Sequence, residues 1–320
     1  MSSDFDLFIP SYHRPDNIMT ANYFVKEIKW EPSKIHVFID SEADDKAEYE
    51  RYCSGLGVQL HIFDMSEARK RYDYVHRPSV ARRSAGQARN MFQDFAKKNG
   101  IDFYVVQDDD TKYLQVRGPK ETTRRKRKKG GKYAANADEV RNAFYAVRDF
   151  MKKHEIGLFG LSQTGDLIGG CDDGKIYRAK VMNTTFYNVK YIYRGERGVQ
   201  DDDTSLFAGV MNEGLFTGSF RYGVVLQQML SATQSGGLTD LYKECKLLNK
   251  ALVVPIQFPS CVYAEKQEKN GGRLHHHIKN RYLMPRIIKN KGGRDNIAWN
   301  TYEEDWPFTN EPKNRKYTLE

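Results

Sequence analysis

The chain has 320 residues, 39% of them hydrophobic and 12% aromatic, which suits one large α/β domain or a domain with an appendage. No apolar run is long enough to span a bilayer, and the first residues show no basic stretch followed by an apolar one, so neither a membrane segment nor a secretion signal is expected. The net charge of +9 favours an anionic partner (nucleic acid, a nucleotide or an anionic surface) without choosing among them.

Four cysteines, Cys53, Cys171, Cys245 and Cys261, lie far apart with no CxxC pair. They make neither a zinc site nor a disulfide framework, and a reducing cytoplasm is the expected compartment.

Residues 5–9 read as a short buried strand, closed by Pro10 and a polar turn that carries Tyr12 and Arg14. Ile18, Ala21, Val25 and Ile28 fall near helical spacing. A second strand is expected at 34–40, a charged helix at 43–54 and a third strand at 58–63. This alternation implies a parallel sheet. The next helix, 84–98, has Ala88, Met91, Phe92, Phe95 and Ala96 on one face and stops at Gly100. A strand at 102–106 then runs into Gln107, Asp108, Asp109, Asp110 and Thr111.

Three adjacent carboxylates repel one another unless a cation lies among them. In an extended segment Asp108 and Asp110 point one way and Asp109 the other. Two carboxylates aimed at one point from the carboxyl end of a strand suit a divalent ion that also holds phosphates. The alternative is a solvated acidic turn.

Six consecutive cations follow at Arg124, Arg125, Lys126, Arg127, Lys128 and Lys129. Such a run is usually solvated, and it also suits phosphate contacts with DNA. Asn136 with Glu139 three residues on predicts a capped helix, with Val140, Ala143, Phe144, Val147 and Met151 on one face. Strand-like pieces are expected at 156–161, 176–182 and 185–193. A second acidic triplet, Asp201, Asp202 and Asp203, opens a helix, where acids also favour the helix dipole and cap. Beyond 225 the pattern predicts a helix near 238–249, a strand at 251–256 and a polar tail from about 289, with His275, His276 and His277 read as a loop.

The order of these pieces resembles the GT-A fold glycosyltransferases, in particular the large inverting family that includes cellulose and chitin synthases. The residues that carry the resemblance are Ile9-Pro10-Ser11-Tyr12-His13-Arg14, Asp40 at the end of the second strand, Ala88-Arg89-Asn90, the acidic run Asp108-Asp109-Asp110, and Asp201-Asp202-Asp203. In the last motif Gln200 stands where that family has Glu.

The resemblance implies a mostly parallel, Rossmann-like sheet flanked by helices. It divides the chain into a catalytic core at 1–225 (nucleotide-binding half 1–110, acceptor half 111–225) and a C-terminal extension at 226–320. It implies a UDP-sugar donor and Mn²⁺ or Mg²⁺. Pro10, Tyr12, Arg14, Asp40, Arg89, Asn90, Gln107, Asp108 and Asp109 are then expected at the nucleotide sugar. Asp108, Asp110 and His276 are expected at the metal, and Asp201, with Asp202 in reserve, as the base.

A soluble, basic chain of this architecture also resembles the TET-associated and phage DNA glycosyltransferases. That implies double-stranded DNA bearing 5-hydroxymethylcytosine, or a sugar already on it, as the acceptor. A cytoplasmic glycosyltransferase acting on a glycan precursor or a protein is the second reading. A non-catalytic DNA-binding module is the third.

Overall fold

A computed structural model describes residues 5–70, 85–117, 132–161, 176–177, 180–191, 195, 201–213, 217–220, 223–228, 247–267, 272–279 and 282. The first strands follow the sequence pattern closely: β1 is Asp6–Pro10, β2 Ile35–Asp40, β3 Gln59–Phe63 and β4 Phe103–Val106. Between them lie helices α1 (Met19–Lys26), α2 (Lys46–Leu56), α3 (Met65–Lys70) and α4 (Ala85–Lys98). β1, β2 and β4 are buried along almost their whole length, as strands covered on both faces must be.

These strands begin an eight-stranded sheet of order β3-β2-β1-β4-β9-β7-β10-β8. Its second half is β7 (Leu158–Leu161), β8 (Ile176–Tyr177), β9 (Thr185–Asn188) and β10 (Thr217–Phe220). β1 pairs in parallel with both β2 and β4, while β9 runs antiparallel between β4 and β7. The expected α/β architecture, a mostly parallel sheet flanked by helices, is therefore present. Aromatic rings fix the sheet's centre: Tyr104 stacks on Phe8 at 4.5 Å and on Tyr187 at 4.8 Å, which locks β1, β4 and β9 side by side.

Helix α5 (Ala137–Lys153) starts as the sequence predicts. Asn136 accepts a hydrogen bond from the Glu139 N–H at 3.0 Å, and Glu139 accepts one from the Asn136 N–H at 2.9 Å. Its buried face, with Val140, Phe144, Val147 and Met151, closes one side of the sheet. Helix α6 (Asp202–Asn212) begins directly after Asp201.

A second sheet, β11-β5-β6, is built from β5 (Thr111–Arg117), β6 (Lys132–Ala134) and β11 (Gly223–Gln228). The expected boundary at 225 falls inside β11, which pairs antiparallel with β5. The cations at 124–129 lie outside the described residues, but Arg117 and Lys132 are paired across the β5–β6 hairpin that they connect. That hairpin sets where the run is rooted relative to the acids. β5 starts at Thr111, so the root lies a strand's length away, about 20 Å at ~3.3 Å per residue.

The C-terminal region departs from expectation in two places. Residues 251–256 belong to a helix, α7 (Leu247–Gln257), not a strand. Val253 and Val254 are buried while Ile256 is exposed, and Val254 packs with Phe207, Ala208, Met211, Phe258, Cys261 and Val262 in a small core of its own. The three histidines lie not in a loop but on β13 (Arg273–Ile278), which pairs antiparallel with β12 (Val262–Gln267). The expected helix start near 238, the Gly236-Gly237 break and the tail from 289 lie outside the described residues.

Candidate active site

The sheet brings the carboxyl ends of β1, β2 and β4 to one edge, where β1 has neighbours on both sides and a crevice opens in sheets of this kind. Pro10, Tyr12, Arg14, Asp40 and the acidic run all close or follow strands that end at that edge. The loop after β1 is pinned by Ser11 N–H donating to Phe38 O at 3.0 Å. Asp40, at the end of β2, is buried, and its carboxylate accepts the Glu42 N–H at 2.8 Å, so it also closes its own turn.

The acidic run is not extended. β4 ends at Val106, and residues 107–110 turn back into β5. Strict alternation of the three carboxylates therefore does not apply. The Thr20 hydroxyl bonds to Asp108 O, the Thr20 N–H donates to Asp109 O at 3.2 Å, and the Thr111 N–H donates to Thr20 Oγ1 at 3.0 Å. Gln107, expected at the nucleotide sugar, is fully buried. Its amide donates to Thr111 Oγ1 at 2.6 Å and accepts from Thr184 Oγ1 at 2.8 Å, so both ends brace the turn from beneath.

Each acid then meets a different cation. Arg14 Nη1 lies 2.6 Å from Asp109 Oδ1 and 3.8 Å from Asp110 Oδ2. The Ser11 hydroxyl donates to Asp109 Oδ2 at 2.7 Å. Asp108 is held by Arg89 Nη2 at 2.7 Å, and Arg89 Nη1 reaches Asp202 Oδ2 at 2.8 Å. One guanidinium thus joins the first acidic motif to the second, 94 residues apart in the chain (202 − 108). Arg89 and the buried Asn90 project from α4, while Tyr12 is half-buried with its ring 3.9 Å from that of His13.

Burial pushes the Asp110 carboxyl up to about 7, reinforced by the charges of Asp108 and Asp109 and opposed by Arg14. Burial also pushes Asp109 up, against the pull of Arg14 and Ser11. Crowded oxygen donors whose charges raise one another's proton affinity are a donor set that a hard divalent cation fits. Asp108 and Asp110 would hold it.

The second motif is arranged differently. Asp201 takes a left-handed conformation (φ 52°) at the start of α6, and its side chain makes no capping bond. Capping therefore does not account for this acid. Asp203 accepts from Lys180 Nζ at 2.7 Å. Burial works to raise its pKa, but the Lys180 charge and the Thr204 N–H outweigh it and keep the carboxyl low. His276 is buried, with Nδ1 3.4 Å from Asp201 Oδ2 and Nε2 3.3 Å from Thr204 Oγ1.

A family model described as TAGT, the TET-associated glycosyltransferases, matches residues 5–237. The chain belongs to this family. It is a glycosyltransferase, and its mixed sheet with β9 reversed between β4 and β7 is of the GT-A kind. Among solved structures it is similar to a Pyrobaculum calidifontis mannosyltransferase in complex with GDP-mannose and Mn²⁺, at 12% identity and TM-score 0.42, over 67% of this chain and 53% of that one. The chain thus spans about half the length of that enzyme. It is also similar to the Mycobacterium tuberculosis glucosyl-3-phosphoglycerate synthase in complex with Mn²⁺, UDP-glucose and phosphoglyceric acid, at 10% identity and TM-score 0.45, over 87% and 86% of the two chains. No curated protein matches the chain.

Four residues that support this TET-associated glycosyltransferase site escape sequence reading. Tyr49, on α2, bonds through its hydroxyl to Ser11 Oγ at 2.9 Å and accepts the Arg14 N–H at 3.0 Å. Thr20, Thr184 and Lys180 brace the acidic segments as described above. Only Tyr49 left a signal, as an apolar-face residue of a charged helix. Among the described residues, the single trio of metal-type donors whose atoms converge is His13, Asp44 and Asp45, in which Asp44 is exposed. No helix among the described residues is long and apolar enough to cross a membrane.

Proposed function

We propose that this glycosyltransferase moves a sugar from a UDP-sugar to a hydroxyl on modified DNA, either 5-hydroxymethylcytosine or a sugar already attached to it, with inversion at the anomeric carbon. The observation that carries the reading is the Arg89 bridge, which puts Asp108 and Asp202 on opposite sides of one cation. A donor diphosphate beside Asp108 and an acceptor hydroxyl beside the start of α6 would then face each other across a short gap.

The roles follow from the chemistry. The acceptor oxygen attacks the anomeric carbon, its proton passes to Asp201, and the bond to the diphosphate breaks with the electron pair on the leaving oxygen. A divalent ion held by Asp108 and Asp110 would supply positive charge across that leaving group. Arg14 and Arg89 neutralise phosphate oxygens. Tyr12 offers a face for the base, and Asp40 accepts from the uracil edge. Asp109 keeps Arg14 in place.

Phosphate contacts from Arg124, Arg125, Lys126, Arg127, Lys128 and Lys129 give salt-dependent, sequence-tolerant binding of DNA. A duplex is about as wide as the ~20 Å between the acids and the root of that run. The cations suit phosphates flanking the reacting base better than the base itself. The net charge of +9 supports an anionic acceptor such as DNA.

The test is mass spectrometry of nucleosides from hydroxymethylcytosine DNA incubated with the protein, Mn²⁺ and a panel of UDP-sugars. A hexose or pentose mass shift is expected. UDP release with no shift on any DNA, including DNA already bearing a sugar, would move the acceptor to a glycan or a protein. No turnover of any UDP-sugar would remove the donor assignment.

A further inference from the structure

His276 lies beyond the segment that the family model matches, on a hairpin of the C-terminal extension, yet its ring reaches the start of α6. We propose that His276 is a positioning residue for Asp201, so that the C-terminal hairpin is a working part of the active site. This rests on Asp201 being the base that takes the acceptor proton.

The placement is built, not incidental. On β13 His276 shares the inward face with Leu274 and Ile278 and stands opposite the small Ala264. Ile278 packs against the small core that joins α6 to α7 and β12. The Ser205 hydroxyl donates to Gln257 Oε1 at 2.7 Å, which ties the first turn of α6 to the end of α7. The imidazole is therefore fixed relative to the helix that Asp201 opens.

A carboxylate on one side of the ring and a hydroxyl on the other bear on its tautomer. Lys180 Nζ donates to Thr204 Oγ1 at 3.3 Å, and Thr204 Oγ1 lies 3.3 Å from His276 Nε2. The Thr204 hydroxyl has two acceptors within reach, Asp203 Oδ1 and His276 Nε2, both at 3.3 Å, and its one proton goes to one of them. Given to Nε2, it leaves the ring proton on Nδ1, which faces Asp201 Oδ2 at 3.4 Å. Nδ1 is buried and makes no hydrogen bond at that distance. An N–H beside one carboxylate oxygen attracts it and so favours one orientation of the group. The same orienting task falls to the partner of a general base in many hydrolases.

The competing role is metal ligation. The imidazole nitrogens, however, are directed at Thr204 and Asp201 at the start of α6.

The two roles separate on amide substitutions in the full-length protein. The amide nitrogen of Asn occupies the place of Nδ1, and that of Gln the place of Nε2. Three variants, His276→Asn, His276→Gln and His276→Ala, are assayed for UDP release from UDP-glucose with water or DNA as acceptor. Mn²⁺ affinity is measured by calorimetry. His276→Asn is expected to keep kcat within about threefold, while His276→Gln and His276→Ala lose roughly 10- to 100-fold. Donor KM and Mn²⁺ affinity should stay unchanged in all three.

Equal loss in Asn and Gln with Mn²⁺ affinity weakened tenfold or more would overturn the proposal in favour of a metal ligand. Wild-type kcat in all three would overturn it outright. If the alanine variant does not fold, Asn against Gln carries the comparison alone. Asp201→Asn is run alongside. Retained turnover there sinks the base assignment itself, whereas lost turnover there with unchanged His276 variants sinks only the positioning role.

Discussion

Arg89 Nη2 lies 2.7 Å from Asp108 Oδ1, while the other terminal nitrogen of the same guanidinium lies 2.8 Å from Asp202. Two acids so placed share a cation that neither turn could supply locally. The geometry needs a planar fork, since a lysine ammonium is a point charge on a flexible stem. Arg89→Lys should therefore lower kcat/KM for the donor by roughly 10- to 100-fold with little change in melting temperature. Steady-state kinetics alongside thermal denaturation checks this. A variant with wild-type kcat/KM would show that the bridge has no part in turnover.

Arg14 and Asp109 form a buried ion pair at 2.6 Å. Removing only the cation leaves a buried carboxylate uncompensated, which typically costs about 3–5 kcal/mol. Arg14→Met should destabilise the fold accordingly, and Arg14→Met with Asp109→Leu should recover much of the loss. Chemical denaturation of both variants measures it. Equal stability of the single and double variants would contradict a compensated pair.

Burial and the neighbouring carboxylates raise Asp110 to about 7, so near neutrality it holds a proton that a cation must displace. Mn²⁺ affinity should then rise as pH climbs from 6 to 8, with protons released on binding. Calorimetry in buffers of different ionisation enthalpy reads both. Asp110→Asn should weaken binding and remove the pH dependence. Affinity that stays flat across that range in the wild type would rule Asp110 out as a ligand.

A histidine pair packed against Phe95 of α4 links stability to pH. Burial, and then the His36 ring 2.9 Å away, lower His61 from 6.5 to about 4. The folded state prefers the neutral ring, so this contribution is present above the unfolded value of 6.5 and is lost as pH falls towards 4. His36 is held on its other side by Asp6 at 2.9 Å. The wild type should lose more stability than His61→Gln between pH 6.5 and 4.5, measured by denaturant midpoints. Parallel loss in the two proteins would place the acid sensitivity elsewhere.

The first 150 or so residues were the most legible. Strands at 5–9, 34–40, 58–63 and 102–106, the helix at 84–98 and the Asn136–Glu139 capping box all appear within a few residues of their expected places. Local rules suffice there, because buried parallel strands and capped helices write their signatures in consecutive residues. The acids themselves could also be picked out, since three adjacent carboxylates are conspicuous in any chain.

Other features needed distant partners. Residues 251–256 have the composition of a strand, but they lie on a helix that packs Val254 against α6 and leaves Ile256 exposed. The three histidines look like a polar loop until β12 pairs with β13 and turns only His276 inward. The acidic run looks extended until Thr20, on α1, bends it into a turn.

By itself, then, the sequence determined an α/β sheet with acids at its carboxyl edge and a basic surface, because strand burial, helix capping and charge are properties of neighbouring residues. Only the tertiary structure decided which cation serves which acid: Arg14 for Asp109, Arg89 between Asp108 and Asp202, Lys180 for Asp203 and His276 beside Asp201. Those pairings join residues 19 to 113 positions apart, and no local pattern encodes a contact that exists only once the sheet has closed.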